Sequence, residues 1–497
     1  MSVWSEGYVV DVGYTHGYHP ELNPVRARFA LLNAGYECPA METACELGFG
    51  QGVSANIHAA AGHTEWWGTD FNPTHAAQAQ QMAKASGSGA RWLDDAFAAF
   101  AQRSDLPDFD FIALHGVWSW VSDNNRAVLV DFVRRKLKVG GVLYVGYNTL
   151  PGWNTMVPLR HLLTEHAHTM GAPGVGRETR IEQALSFVDQ LLDTQPAHTQ
   201  NHPELATRLQ TLRGQKRGYL AHEYFNQDWQ PMHFAQVAGC LAPAKVQYAC
   251  SAHLLEQVDT FNLTPTQRAF LHGIPDTNLR ETARDFVVNQ AFRRDYWIKG
   301  GLRLSPREQS ERLRAQGLLL VTPRKAVPLT VRGHLGEGQL DAAVYTPVLD
   351  LLADHQPHTL GELEQAVAPL GTSAEQLLQA VVVLCGLGHV APVQNTTGSA
   401  AGCCDRLNGY AIGQTMAGQG FGHLASPATG GGVALSPAEQ LFLLAIDQGH
   451  PTPAGWAQVA ATFLADPTGL VAQAQAFADK LPALRALGVA PHATSAV

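Results

Sequence analysis

Charged side chains are scarce in this sequence. Only 15% of its 497 residues are Asp, Glu, Lys or Arg, against 45% hydrophobic residues, which excludes a disordered polyelectrolyte and predicts a globular chain throughout. Basic residues are the rarer sign, 34 against 43 acidic for a formal charge of −9, so a constitutive nucleic-acid or anionic-membrane binder is not expected. Cysteine is also sparse. The seven present are odd in number and irregularly spaced, with Cys403 and Cys404 adjacent. That pattern excludes a disulfide framework or zinc ribbon and predicts free thiols in a reducing compartment. No stretch offers about 18 uninterrupted apolar residues, and Met1 to Glu21 has neither a basic start nor an apolar core of the kind a secretion signal needs. The protein is predicted to be soluble, cytoplasmic and free of membrane contact. What is plentiful is length: a single hydrophobic core does not grow this large, and roughly three domains follow from about 100–200 residues each. The 22 histidines raise the question of a metal. Their densest group, His161, His166 and His168 with Glu165, lacks a nearby Cys and reads as a solvated helix face, so no metal is expected.

The most informative stretch runs from Met41 to Asp70. A short apolar run reaches Glu46, glycines follow at alternate positions (Gly48, Gly50, Gly52), and an Ala-rich helix comes next, giving strand, tight turn and helix. Glycine there permits positive φ and close approach of a ligand, and the helix start offers unpaired N–H groups. A second strand ends at Asp70, followed by Phe71, and Asn72-Pro73-Thr74 opens another helix. A carboxylate ending the second strand of a doubly wound sheet suits the hydroxyl pair of a ribose. The unit is therefore predicted to bind a nucleoside. Glu46 then separates two kinds of nucleoside: its carboxylate would repel a pyrophosphate and attract the cationic amino group of S-adenosylmethionine. S-adenosylmethionine is the predicted cofactor.

With that motif, E-x-G-x-G-x-G, the chain resembles the class I S-adenosylmethionine-dependent methyltransferases. Trp92 to Phe97 resembles their third strand and acidic turn, which implies that Asp94 or Asp95, with Asp95 favoured, reaches the adenine amino group. Asp108 to Gly116 is similar to the fourth strand, and Leu137 to Asn148 to a helix end, glycine turn and fifth strand. Three further segments resemble one subfamily, which carries a methyltransferase regulatory domain and includes rickettsial outer-membrane-protein lysine methyltransferases. They are Tyr14 to Pro24 with Tyr18, His115 to Trp120 with Trp118, and Tyr147 to Trp153. The regulatory segment itself is matched at Tyr219 to Pro231, with His222, Glu223, Tyr224, Asn226 and Trp229.

The resemblance implies an α/β fold, a Rossmann-like seven-stranded class I sheet. Five strands are spent by Asn148, so Lys245–Cys250 and Arg294–Lys299 are read as the sixth and seventh. The expected organisation is a core with an N-terminal lid at 1–154, a helical insertion at 155–220, a regulatory segment completing the sheet at 221–300, a winged-helix-like domain at 301–398 and a C-terminal helical region at 399–497. In the fourth part a helix at Thr346–Asp354, caps at Thr359 and Ser373 and a strand at Gly388–Val393 form the outline. Tyr345 to Val393 contains no Lys or Arg, so DNA binding by it is not expected.

Methyl transfer is an in-line displacement, for which a protein supplies alignment rather than a strong acid–base triad. His115, Trp118, Tyr147 and Asn148, after the fourth and fifth strands, are the candidate acceptor-side residues, with Trp153 beside them. Tyr14 and Tyr18 are expected to close over the cofactor, and His115 is counted among its contacts too. Aromatic faces suit a methylated cation. The expected activity is methylation of protein lysines. The alternatives are a small-molecule N- or O-methyltransferase and a cofactor-binding regulatory protein without turnover. The acceptor is thus a protein or a small molecule, and self-association through the helical insertion is a further expectation.

Overall fold

A central strand forms in the short run that leads to the glycine turn. In the computed structural model, which describes residues 17–171, 174–395 and 397–491, strand β1 spans Thr43–Leu47 and is buried along almost its whole length. Such a run belongs in a sheet covered on both faces. Around it the strands β2 (Glu65–Thr69), β3 (Arg91–Leu93), β4 (Phe109–Leu114), β5 (Leu137–Asn148), β6 (Val246–Ser251) and β7 (Phe292–Lys299) form one sheet in the order β3-β2-β1-β4-β5-β7-β6. All pairings are parallel except those of β7, which runs antiparallel to β5 and β6. This is the class I methyltransferase sheet, completed by the two strands expected downstream of Asn148. The strand order reverses between β1 and β4, and the crevice beyond their carboxyl ends is where such sheets hold ligands.

Helix α1 (Pro24–Asn33) precedes β1, and α2 (Val53–Ala61) follows the glycine turn. All nine residues of α2 are buried, because strands and helices of the C-terminal region cover its outer face. Val53, Ile57, Ala60 and Ala61 share a core with Leu407, Leu424 and Leu441. A helix apolar all round needs such a cover. Helix α3 (Pro73–Ser86) starts where the Asn72 side chain accepts the Thr74 N–H and stops at Gly87, whose φ is +67°, a left-handed C-cap that glycine adopts without strain.

The 155–220 segment folds as helices α6 (Met156–Thr169), α7 (Arg177–Asp193), α8 (Ala197–Asn201), α9 (Glu204–Arg213) and α10 (Arg217–Tyr224), after α4 (Phe97–Ala101) and α5 (Asp123–Lys136) of the core. They pack around their own cluster, including Leu163, Ile181, Leu185 and Leu209. His161 and His168 lie exposed on α6, and His166 stacks on Phe187. No group of three or more His, Cys, Asp or Glu among the described residues is placed to hold a metal ion.

Beyond β7 the strand Gly317–Leu320 is flanked antiparallel by His358–Thr359 and Val390–Pro392. Thr359 caps the helix Leu360–Val367 and Ser373 caps Ala374–Gly386. This region shares one core with the large sheet, since Val348, Leu377 and Val383 cluster with Phe29, Phe111 and Tyr296. The C-terminal part adds a long helix, Gly398–Met416, and a hairpin of His423–Ser426 with Gly431–Ala434. Among the described residues no helix is long and apolar enough to cross a membrane.

Candidate functional site

The glycine turn is built for an occupant. Gly48, Gly50 and Gly52 have φ of +79°, +59° and +76°, a region closed to most side chains. A Cβ on Gly48 would lie 2.4 Å from Val117 Cγ2 and one on Gly52 2.5 Å from Ala79 Cβ, whereas one on Gly50 would meet nothing within 4 Å. The outer two glycines therefore serve packing, and the middle one opens onto space. That space is a cavity of about 490 Å³ along the carboxyl edge of the sheet, within the usual range for small-molecule sites.

At its β1–β2 end two carboxylates meet. Glu46 ends up 2% exposed, and one of its carboxylate oxygens, Oε2, has no hydrogen-bond partner. Burial and the neighbouring Asp70 push its carboxyl up to about 8, since both disfavour a further negative charge. Asp70 is anchored instead: Oδ2 accepts the Gly50 N–H at 2.8 Å, and Oδ1 accepts the Asn72 N–H at 3.0 Å and lies 3.2 Å from His75 Nδ1. A carboxylate offers about four lone-pair directions, so Asp70 retains capacity for a ligand hydroxyl. Phe71 lines the same end.

In the middle stands His115, half-buried and in contact with the cavity. Its Nδ1 lies 2.8 Å from the Tyr144 hydroxyl, and its ring stacks on His19 with centroids 3.6 Å apart. Burial, with His19 and Arg294 nearby, holds His115 well below the usual imidazole range. Burial likewise lowers His19 to about 4. Both rings are neutral at pH 7, which suits a site that admits a cation.

The β5–β7 end is aromatic. Trp120, Trp153, Tyr219 and Phe292 line it, together with Asn148, His222 and Glu223, while Phe97 stands beside Gly48. Asn148 is paired in register with Phe292, and its side-chain Nδ2 has no partner. Trp229 binds this end to the regulatory segment: its ring lies 5.1 Å from Trp153 and 6.2 Å from Trp120, with the Arg160 guanidinium 4.6 Å from its centroid.

Of the residues singled out from sequence, Glu46, Gly48, Gly50, Gly52, Asp70, Phe71, His115 and Asn148 come together around this cavity. Four do not, each for a physical reason. Tyr147 precedes Asn148 in a strand, so its side chain emerges on the opposite face, where its hydroxyl donates to Asp295 at 2.8 Å. Trp118 is buried in the core with Phe109, Leu129 and Val145, while Trp120, two residues on, reaches the cavity. Tyr18 turns toward the C-terminal hairpin, where its hydroxyl accepts the Gly432 N–H at 2.7 Å, and burial raises it to about 12. Asp95 is held by Arg103 at 3.1 Å and lies outside the cavity wall, as does Asp94. Tyr14 falls outside the described residues. Sequence reasoning missed His19, Phe97 and Phe292 as wall residues, and Tyr219, His222 and Glu223 were read only as regulatory-segment residues. The last three come from α10, far along the chain, and nothing local signals their return to the glycine turn.

Comparison with known proteins adds the following. Residues 44–141 match the methyltransferase domain family, and residues 216–299 match the predicted methyltransferase regulatory domain. An uncharacterized protein of Synechocystis sp. is 37% identical over 457 residues, covering 90% of this chain and 89% of its own. A Rickettsia prowazekii protein is 24% identical over 279 residues, 54% of this chain and 49% of its own. In structure, PKMT2 from Rickettsia typhi, solved in complex with AdoHcy, superposes with a TM-score of 0.68 over 95% of this chain and 99% of its own, at 16% identity.

Proposed function

This chain belongs to the class I methyltransferases that carry a predicted methyltransferase regulatory domain, and on that premise we propose that it moves a methyl group from S-adenosylmethionine to the side-chain nitrogen of a protein lysine. The observation that carries the reading is the polarity of one cavity: a buried carboxylate without a partner at one end and an aromatic wall at the other. The residues fit the cofactor. Glu46 Oε2 would receive the amino group, Asp70 would receive a ribose hydroxyl, and the open Gly50 turn leaves room for the nucleoside. The cofactor, when bound, supplies an electrophilic methyl on a sulfonium.

The strands at about 4.8 Å spacing set the span. β2 and β7 stand four steps apart in the sheet, so the cavity is on the order of 19 Å from the Asp70 end to Phe292, long enough for cofactor and acceptor in line. Trp120, Trp153, Tyr219 and Phe292 would enclose a lysine side chain, excluding water and favouring the neutral amine needed for attack. Asn148 would accept an amine N–H through its Oδ1, and Glu223 would favour the arriving ammonium. Support for lysine as acceptor also comes from the rickettsial likeness in sequence and from the name of the R. typhi protein.

The test is transfer of labelled methyl from S-adenosylmethionine into a cell lysate, separated into protein and small molecules, with hydrolysis of the protein fraction. Label in ε-N-methyllysine is expected. Label confined to small molecules would refute the acceptor assignment.

A further inference from the structure

A second cavity, of about 360 Å³, lies within the regulatory segment, between β6, the helix Thr277–Val288 and the end of α1. It is walled by charge of both signs, yet the two signs are unequally spent. Arg293 is 5% exposed and donates to Asp285 at 2.6 Å, Asp295 at 2.9 Å, Glu281 at 3.0 Å and the Tyr248 hydroxyl at 3.3 Å. Arg284 donates to Asp259 and to the Glu256 carbonyl, and Arg280 to the Ile274 carbonyl and Thr277. The donors are committed to the protein itself.

The acceptors are not. Asp285 is 1% exposed, one carboxylate oxygen holds Arg293, and the other, Oδ2, has no partner. Leaving a buried acceptor unmet is destabilising. Burial, with Asp295 and Glu281 nearby, raises this carboxyl to about 7 against the lowering effect of Arg293. Glu281, one helical turn before Asp285, gives Arg293 only its Oε2.

This cavity backs onto the first. In the β5–β7 pair Asn148 faces Phe292 and Tyr147 faces Arg293. Asn148 and Phe292 line the methyltransferase cavity, whereas Arg293 lines the second one, with Tyr147 joined to it through Asp295. Adjacent residues of β7 thus serve two cavities: Phe292 the methyltransferase cavity and Arg293 the second one, which lies at the edge strand β6.

We propose that the second cavity is an effector site for a small organic cation bearing N–H donors, a primary ammonium or guanidinium received by Asp285 and Glu281, and that its occupancy is transmitted through Arg293, Asp295 and Tyr147 to the methyltransferase cavity. The transmission half rests on the cofactor reading given above; the binding half does not. An N–H donor completes Asp285 and competes with Arg293 for the same carboxylates, so the guanidinium and the strand that carries it shift together. Coupling of this kind is reciprocal.

Calorimetric titration of the full chain with putrescine and with arginine tests it, with tetramethylammonium as a cation that has no N–H. At least one of the first two is expected to bind with one-to-one stoichiometry, and tetramethylammonium is not. Asp285→Asn and Glu281→Gln should each weaken binding about tenfold or more, a loss expected of a charged hydrogen bond. Glu281→Gln, at a less buried position, keeps the test readable should Asp285→Asn fail to fold. No binding at concentrations up to about 10 mM, or equal binding to wild type and Glu281→Gln, overturns the site. The bound cation should change the affinity for S-adenosylhomocysteine about fivefold or more, and this change should vanish in Tyr147→Phe. Independent binding of the two ligands overturns the transmission. If S-adenosylhomocysteine fails to bind wild type at all, the cofactor reading falls while the putrescine and arginine titrations still decide the site.

Discussion

Cofactor affinity should follow a bell in pH, and Glu46 sets its acid limb. In the free protein the Glu46 carboxyl stands at about 8, and an α-amino group ordinarily titrates near 8 as well. Their pairing needs the carboxylate and the ammonium at once. At pH 6 only about 1% of Glu46 is ionised, whereas at pH 8 about half of each partner is in its pairing form, so the paired fraction rises roughly twenty-fivefold, or about 1.9 kcal/mol. Above pH 8 the ligand amine loses its proton and affinity falls again. Calorimetry with S-adenosylhomocysteine at pH 6, 7, 8 and 9, in buffers of different ionisation heat, reads both the affinity and the proton released, which should approach one at pH 7. Glu46→Gln removes the titrating group and should flatten the acid limb while lowering affinity at pH 8 by about 1–3 kcal/mol. The same shift acts on folding. A carboxyl raised from 4.5 to about 8 gives stability that is complete below its unfolded value and is lost as pH climbs through the folded one, with a ceiling of roughly 5 kcal/mol. Free Glu46→Gln should therefore melt higher than free wild type at pH 8, and the ligand should reverse that order. A flat affinity profile in wild type, or an unchanged one in Glu46→Gln, would refute the reasoning.

Other perturbations follow from the same geometry. Gly48→Ala places a methyl 2.4 Å from Val117 Cγ2 at a φ of +79°, and thermal melting should show a loss of about 1–3 kcal/mol together with weakened cofactor binding. Asn148→Ala should lower kcat while sparing cofactor affinity, the mark of lost alignment. Tyr147→Phe, one residue away on the other face, should instead cost about 1–2 kcal/mol in denaturant unfolding through the unpaired Asp295 and leave basal turnover near normal. Trp229→Ala removes the ring between Trp120, Trp153 and Arg160; stability should fall by about 1–3 kcal/mol, and KM for the acceptor should rise more than the cofactor dissociation constant.

Residues whose roles depend on local pattern were legible in the sequence, and those placed by tertiary closure were not. Glu46, the three glycines and Asp70 sit at strand ends fixed by a run of apolar residues, so their meeting at one sheet edge follows from strand, turn and helix alone. Capping carried similar weight far downstream, at Thr359 and Ser373, because a side chain that accepts its own helix's N–H needs no distant partner. Tyr147 and Asn148 show where the reading stops. Both end β5, and only the register with β7 tells which faces the cavity. Tyr18 has the composition of a lid residue but is claimed by Gly432, some four hundred positions away. His222 and Glu223 reach the cavity because α6 to α10 fold as a unit and return over the sheet, a closure that no local spacing encodes.

The central claim is that one cavity takes the cofactor at its Glu46–Asp70 end and the acceptor at its aromatic end. A crystal structure with S-adenosylhomocysteine tests this most directly. The account predicts the ligand amino nitrogen within about 2.7–3.2 Å of the Glu46 carboxylate, a ribose hydroxyl on Asp70, and the sulfur facing Asn148 and Trp153. A ligand lying elsewhere, or lodged with its adenine among Trp120, Trp153 and Tyr219, would contradict it.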